Sequence, residues 1–268
     1  LTRMAKRKLR VDELLVERAL YPDLDTAMRA CLAGCVMSGT DRITTPGLRV
    51  TADFPLSVKG RRGYVSRGGL KLAGALAAFG FDPSGLACID LGASTGGFTD
   101  CLLQGGAKSV AAVDDGYGQL AWSLVTDSRV TVFDRTDIHT ADLTVFGGPF
   151  DLAVADLSFM SLAPIAPIFA DLLVEGGALI ALVKPQFESR KDHVGENGIV
   201  TARDVQASAL DRVVESLAHA GMGVLKLAYS PVKGTKGNIE FFVFARKGAV
   251  PATISTGTVV EEAHRELD

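Results

Sequence analysis

The chain has 268 residues, 47% of them hydrophobic and 22% charged, with a formal net charge of −3. This is the composition of a globular protein long enough for one large domain and a small one, with no apolar run near the roughly 18 residues that span a bilayer. The basic opening "LTRMAKRKLR" leads into charged residues and not into the apolar core of a secretion signal, so a cytoplasmic protein with no membrane partner is expected. Cys31, Cys35, Cys88 and Cys101 sit in apolar surroundings without CxxC spacing, which reads as core packing and argues against metal or redox use.

Charge is unevenly distributed. Residues 1–65 carry 12 Lys plus Arg against 7 Asp plus Glu, and the remaining 203 carry 16 against 24. A basic small module joined to an acidic large one suggests a polyanionic partner for the first part. In that part "RVDELLVERAL" places Val11, Leu14 and Leu15 on one helical face, and "DLDTAMRACLAGCVMSG" offers an Asp cap, a second short helix and a Gly turn into a strand. "LRVTADFPLSVKG" alternates like a half-buried strand. Two helices followed by a small sheet, preceded by "KRKLR", resemble the S4 RNA-binding domain. The resemblance covers about residues 8–60 and implies RNA contacts from Lys8, Arg10, Arg18 and Arg29, with Arg67 added just beyond the segment 61–66 that connects the two parts.

After "GRRGYV" the pattern changes to alternating strands and helices. "LACIDL", "SVAAVD", "VTVFD", "FDLAVADL" and "GALIALVK" are short apolar runs separated by helical stretches, the signature of βαβ units and a parallel sheet. "GMGVLKLAYS" and "IEFFVFARK", joined by "PVKGTKGN", add a terminal hairpin. Seven strands make an open α/β sheet, and such sheets bind ligands beyond the carboxyl ends of their strands. The sheet domain is expected over residues 67–250. Residues 251–268 lose strand character, close in a short helix and read as a tail without an assigned function.

The first strand runs into "DLGASTGGF". Gly92, Gly96 and Gly97 allow backbone to approach a ligand closely, and Ser94 and Thr95 supply small polar groups where a helix begins. The spacing is not the G-x-G-x-x-G of dinucleotide enzymes and no P-loop lysine follows, so a diphosphate is not indicated. Asp114 ends the second strand some twenty residues later, where a carboxylate can accept from both hydroxyls of a ribose. The pattern resembles the S-adenosyl-L-methionine site of class I (Rossmann-like) methyltransferases. That resemblance implies a cofactor held by Asp90, Gly92, Ser94, Thr95, Gly96, Gly97 and Phe98 at its methionine end, by Asp114 at the ribose and by Asp137 at the adenine amine.

The fourth strand ends "ADLSF", without the Pro-Pro-aromatic that follows Asn or Asp in many amine methyltransferases. Asp156 follows that strand, Lys184 follows the fifth in "ALVKPQF", Glu240 opens the last in "GNIEFF", and Lys71 lies in "SRGGLKLAGAL" ahead of the sheet. This Lys-Asp-Lys-Glu set resembles the tetrad of FtsJ-type ribose 2′-O-methyltransferases and implies a hydroxyl acceptor. A hydroxyl is a poor nucleophile until its proton leaves, and a lysine accepts that proton only when its environment disfavours the ammonium. Lys184 is then the hydroxyl-facing base or orienting donor, Asp156 positions it, Lys71 and Glu240 flank the pair, and no metal is needed.

Taken together, "YVSRGGLKL", "DLGASTGGFTD", "GYGQLAWSL", "VADLSFMSL", "LVKPQFE" and "GNIEFFVF" resemble the TlyA (hemolysin A) family from residue 8 to about 246. The resemblance implies a 2′-O-methyltransferase acting on cytidine in ribosomal RNA of the ribosomal subunits, with 16S and 23S both open. The connecting segment reads Arg62-Gly63-Tyr64-Val65 where the family often has Arg-x-Trp-Val. Two rival classes remain. A membrane-active hemolysin needs an amphipathic or spanning segment, and a non-catalytic RNA-binding assembly factor would not need the intact charged set.

Overall fold

The computed structural model describes residues 8–18, 20–21, 23–51, 54–58 and 63–267. Arg62 of the connecting segment therefore lies outside the described residues. The chain divides into two compact units, Leu1–Gly69 and Leu70–Asp268.

In the first unit β1 (Lys8–Arg10) runs straight into α1 (Val11–Glu17), followed by α2 (Leu24–Leu32), β2 (Val36–Ser38), β3 (Asp41–Arg42), β4 (Arg49–Thr51) and β5 (Ser57–Val58). β1 pairs antiparallel with β4, and β2 lies between β3 and β5. The apolar face expected of α1 is the buried one: Val11, Leu14 and Leu15 join Ala27, Cys31, Val36 and Val50 in one core. Local chemistry fixes where the helices start. The Asp23 carboxylate accepts from the Thr26 N–H at 2.7 Å, and the Glu13 carboxylate accepts from the Arg10 N–H at 3.0 Å, each satisfying a backbone donor that the helix leaves open.

The second unit opens with α3 (Gly68–Phe79), which starts at the boundary, and continues through β6 (Ala87–Leu91), α4 (Gly97–Gln104), β7 (Ser109–Val113), α5 (Trp122–Val125) and β8 (Val130–Phe133). Then come β9 (Phe150–Ala155), α6 (Ala166–Leu172), β10 (Leu173–Val183), α7 (Pro185–Glu188), α8 (Arg203–His219), β11 (Met222–Tyr229), β12 (Phe241–Lys247) and α9 (Thr256–Leu267). The seven expected strands form a single sheet in the order β11-β12-β10-β9-β6-β7-β8. β12 is antiparallel to both neighbours and all other pairings are parallel. The hairpin foreseen in the sequence is present, but its second strand is inserted between its first strand and β10.

Period-two alternation divides the sheet into two buried faces. On one, Ile89, Ala153, Leu179, Ala181 and Val243 pack with Phe169 of α6, Leu210 and Val213 of α8, and Val259, Val260 and Ala263 of α9. On the other, Phe242 lies 6.1 Å from Phe98 of α4 and Phe244 stacks 5.4 Å from Phe79 of α3, ring centroid to ring centroid. Cys31, Cys88 and Cys101 are buried, and burial pushes the Cys88 thiol up to about 12, as befits an inert core residue.

α9, the short helix expected to close the tail, packs on α8 and β11, and the hydroxyl of Thr256 donates to Asp211 at 2.8 Å. The spacing of Val259, Val260 and Ala263 carries this helix face, but it follows a stretch of small residues that masks the amphipathic pattern. Val260→Asp should lower the unfolding free energy by about 3 kcal/mol or more, because it buries an unpaired carboxylate. Glu261→Ala, which removes only an exposed pair with Arg203, should change it by less than about 1 kcal/mol. Denaturant titration checks both, and equal small effects would place α9 outside the core.

Candidate active site

Parallel strands deliver the residues that follow them to one edge of the sheet. Gly92 follows β6, Asp114 follows β7, Asp156 follows β9 and Lys184 follows β10. Because β12 runs the other way and pairs Phe241 with Val183, the residue before it, Glu240, reaches this same edge beside Lys184. The reversed strand thus adds an acid that a parallel strand would have sent to the opposite end.

The loop after β6 is drawn tightly against its neighbours. Gly92 has φ +82, and a Cβ there would lie 2.8 Å from the Asp156 carbonyl oxygen, so only glycine fits. The Asp156 N–H donates to the Leu91 carbonyl at 3.0 Å. Gly96 (φ +97) starts α4, and Ser94 takes φ +47. Asp114 closes the loop, its Oδ2 accepting from the Ser94 N–H and its Oδ1 from the Gly116 N–H, both at 2.8 Å. Each carboxylate oxygen retains acceptor capacity beyond one such bond. The Ser94 hydroxyl lies 3.2 Å from Gln119 Oε1, and the Asp134 carboxylate accepts from the Gly118 N–H at 3.0 Å. Gln119 and Asp134 are supports that the sequence reading did not single out.

Other residues expected at the cofactor are placed as follows. Thr95 is exposed on the loop, and Gly97 and Phe98 are buried in the first turn of α4, with the Phe98 ring turned toward Phe242. Asp137 is exposed and accepts from the His139 N–H at 2.9 Å, which starts the turn after β8. Asp90 is fully buried. Its Oδ2 accepts from the Thr99 hydroxyl at 2.6 Å, while Oδ1 has no hydrogen-bond partner among the described residues. Burial pushes this carboxyl up to about 7; the Thr99 hydrogen bond pulls it down, and the Asp156 and Asp114 carboxylates add to the rise.

The four-residue set resolves into two ion pairs. Lys71 Nζ lies 2.6 Å from Glu240 Oε2, and Lys184 Nζ lies 2.7 Å from Asp156 Oδ1. The second contact is outside hydrogen-bond geometry, so Asp156 Oδ1 is otherwise unsatisfied, and the Lys184 ammonium donates instead to the Ser158 hydroxyl at 2.8 Å. Lys184 and Glu240 are buried, with Asp156 and Lys71 partly so. Just after Ser158 comes Phe159, a non-glycine residue at φ +66 that is 91% exposed, with its ring 5.3 Å from Phe187. The Phe187 ring in turn lies 5.8 Å from Lys184 Nζ. Ser158, Phe159 and Phe187 gave no sequence signal beyond their places in "ADLSF" and "KPQF".

The basic residues of the first unit are described on their own. Lys8 and Arg10 are exposed on β1, Arg18 and Arg67 are half-buried, and exposed Arg29 pairs with Asp25 at 2.7 Å. Arg10 also grips Asp12 with two bonds, from Nε at 2.9 Å and Nη2 at 2.5 Å, and this holds the buried Asp12 carboxyl below the usual carboxylate range. Part of its donor set is therefore structural. Among the described residues no group of three or more His, Cys, Asp or Glu could hold a metal ion, and no helix is long and apolar enough to cross a membrane.

Asp90 yields a pH dependence with a definite sign. Its folded carboxyl binds a proton more tightly than the unfolded one, so its contribution to stability is full below about pH 4 and is lost as pH rises through about 7. Asp90→Asn should flatten the stability profile between these limits, by at most roughly 4 kcal/mol. Parallel wild-type and variant profiles in chemical denaturation would assign the proton to another group.

Comparison with known proteins agrees with this geometry. Residues 64–247 match the FtsJ-like methyltransferase family. The chain is 44% identical over 272 residues to a candidate rRNA methyltransferase of Bacillus subtilis, YqxC, covering 98% of this chain and 97% of that one. It is 39% identical over 263 residues to the 16S/23S rRNA (cytidine-2′-O)-methyltransferase TlyA of Mycobacterium tuberculosis, covering 97% and 98%. A solved structure of a candidate hemolysin from Streptococcus thermophilus superposes with a TM-score of 0.78 at 40% identity over 98% of each chain. With a glycine-rich loop, an acid after β7 and paired lysines and acids at one sheet edge, this chain belongs to the FtsJ-like methyltransferases and, among them, to the TlyA (hemolysin A) family.

Proposed function

We propose that the protein methylates the ribose 2′-hydroxyl of cytidine in ribosomal RNA, 16S, 23S or both, within assembled subunits, using S-adenosyl-L-methionine. The observation that carries this reading is the pair of lysine–acid contacts at one sheet edge, Lys184 with Asp156 and Lys71 with Glu240, with Asp156 against Gly92 of the glycine loop. The substrate is supported by the 39% identity to an rRNA (cytidine-2′-O)-methyltransferase over nearly the whole chain.

The residues at the loop fit the cofactor. Gly92 and Gly96 leave a cradle with no Cβ, and Asp114 offers two oxygens with spare lone pairs. When bound, S-adenosylmethionine supplies an electrophilic methyl group. The protein's task is to present a hydroxyl oxygen to it in line and to receive or share the hydroxyl proton. An ammonium has three N–H donors; Asp156 and Ser158 face two of those on Lys184, which leaves one direction for the acceptor hydroxyl. Asp156 and Ser158 fix the rotamer of Lys184, as Glu240 does for Lys71. Phe159 offers an aromatic face on which the acceptor nucleobase stacks, an interaction worth about 1 to 3 kcal/mol per base. Residues 1–60 serve as an S4-like RNA-binding domain, 61–66 as the connection and 67 onward as the catalytic domain.

Lys184→Ala should leave cofactor and RNA affinities within a few fold while lowering the single-turnover rate by roughly 10² or more. Lys184→Arg should fail nearly as badly if Lys184 is the base, because a guanidinium stays protonated. A near-native Lys184→Arg would assign an orienting role, and a near-native Lys184→Ala would overturn the ribose-hydroxyl reading. A chain starting near Tyr64 should still bind cofactor but not methylate subunit RNA, and binding by the intact protein should weaken steeply with salt through counterion release. Undiminished methylation by the shortened chain would remove the RNA-binding assignment from residues 1–60.

A further inference from the structure

The segment 156–162 is gripped at two places by one turn of helix. At its start, Lys184 contacts Asp156 at 2.7 Å and donates to Ser158 at 2.8 Å. At its end, the Glu188 carboxylate accepts from the Ser161 hydroxyl at 2.5 Å through Oε2 and from the Leu162 N–H at 2.7 Å through Oε1. Lys184 is the residue before α7 and Glu188 the last residue in it. Both side chains are buried, and Arg212 of α8 donates to the Glu188 carbonyl, tying this turn to the helix layer.

Between the two grips lies Phe159, exposed and in the left-handed region. A bulky residue held there is strained and persists only where the surroundings impose it. A buried carboxylate is likewise costly unless its oxygens are satisfied, and both Glu188 oxygens are spent on this one segment. A residue needed only for packing would be met more simply by an apolar side chain of similar volume. We infer that Glu188 is a positioning residue for methyl transfer: it anchors the far end of segment 156–162 so that Phe159 and Ser158 are presented to the acceptor nucleotide. The inference rests on the proposed role of Phe159 as a stacking face.

Coupling between the two residues tests it, with single-turnover methylation of subunit RNA and cofactor affinity measured on the full chain. Glu188→Ala should lower the rate about 10- to 100-fold, the scale of a displaced substrate-orienting group, with cofactor affinity unchanged. Phe159→Ala should lower it comparably, and the double variant should be no slower than Phe159→Ala by more than about 2-fold, because residues acting through one another are not additive. Glu188→Gln, which can still accept from Leu162, should recover most of the rate. Ser161→Ala removes one of the two Glu188 bonds, together with the acceptor of the Ala163 N–H, and should show the same coupling to Phe159, which keeps the test decisive if Glu188→Ala does not fold. Fully additive losses, or a folded Glu188→Ala at native rate, would overturn the positioning role alone. A native rate for Phe159→Ala would overturn the stacking face and the positioning role with it.

Discussion

The buried pairing of β6, β9 and β10 is the constraint on which the site depends. These strands are covered on both faces, so a shift of one residue would exchange side chains such as Ile89, Ala153 and Leu179 on one face for Asp90 and the larger residues of the other. Register is therefore fixed, and with it the positions where the three strands end. Gly92 and Asp156 come together because β6 and β9 end on paired residues, Leu91 and Ala155; β10 runs on past Ala181, the partner of Ala155, to deliver Lys184 at the same edge, and the β12 pairing of Phe241 with Val183 brings Glu240 level with Lys184. The chemistry is placed by the sheet before any loop contributes to it.

At that edge the protein assembles two positive and two negative groups with little exposure. Each lysine is answered by one acid, although Asp156 Oδ1 meets Lys184 without a well-directed hydrogen bond and Asp90 Oδ1 has no hydrogen-bond partner among the described residues. Buried polar atoms left in this state are costly in a native protein. Asp90 and Asp156 both neighbour the glycine loop, where Gly92 abuts the Asp156 carbonyl. The glycine loop and Asp156 thus share a wall, which suits the proposed in-line transfer, in which donor and acceptor must approach within about 3 to 3.5 Å.

The parts around this edge differ in how firmly they are held. The ion pairs and the loop after β6 rest on the sheet, whereas segment 156–162 carries an exposed aromatic in a sparsely populated backbone conformation and is held by side chains of α7. Paired charges near a held but strained aromatic ring suit the proposed acceptor nucleotide, whose base would be met by stacking and whose hydroxyl would be set by hydrogen bonds.

The sequence alone determined the seven strands, the glycine loop, the acid after β7 and the register of Asp156, Lys184 and Glu240 with strand ends, because apolar runs and turn glycines encode local structure directly. It also determined the buried face of α1 and the Asp23 cap. The tetrad resemblance already set Asp156 beside Lys184 and Lys71 with Glu240; only the tertiary structure decided that Lys184 donates to Ser158, that β12 slots between β11 and β10, and that α9 belongs to the core. It alone turned Phe98 inward toward Phe242 and Phe159 outward over Phe187, and gave Glu188 its two partners across the site. The reason is range: strand propensity, caps and turns are set by neighbours within a few residues, whereas the partners of Lys71 and Glu188 stand 169 and 26 or 27 positions away and are chosen by how the sheet stacks.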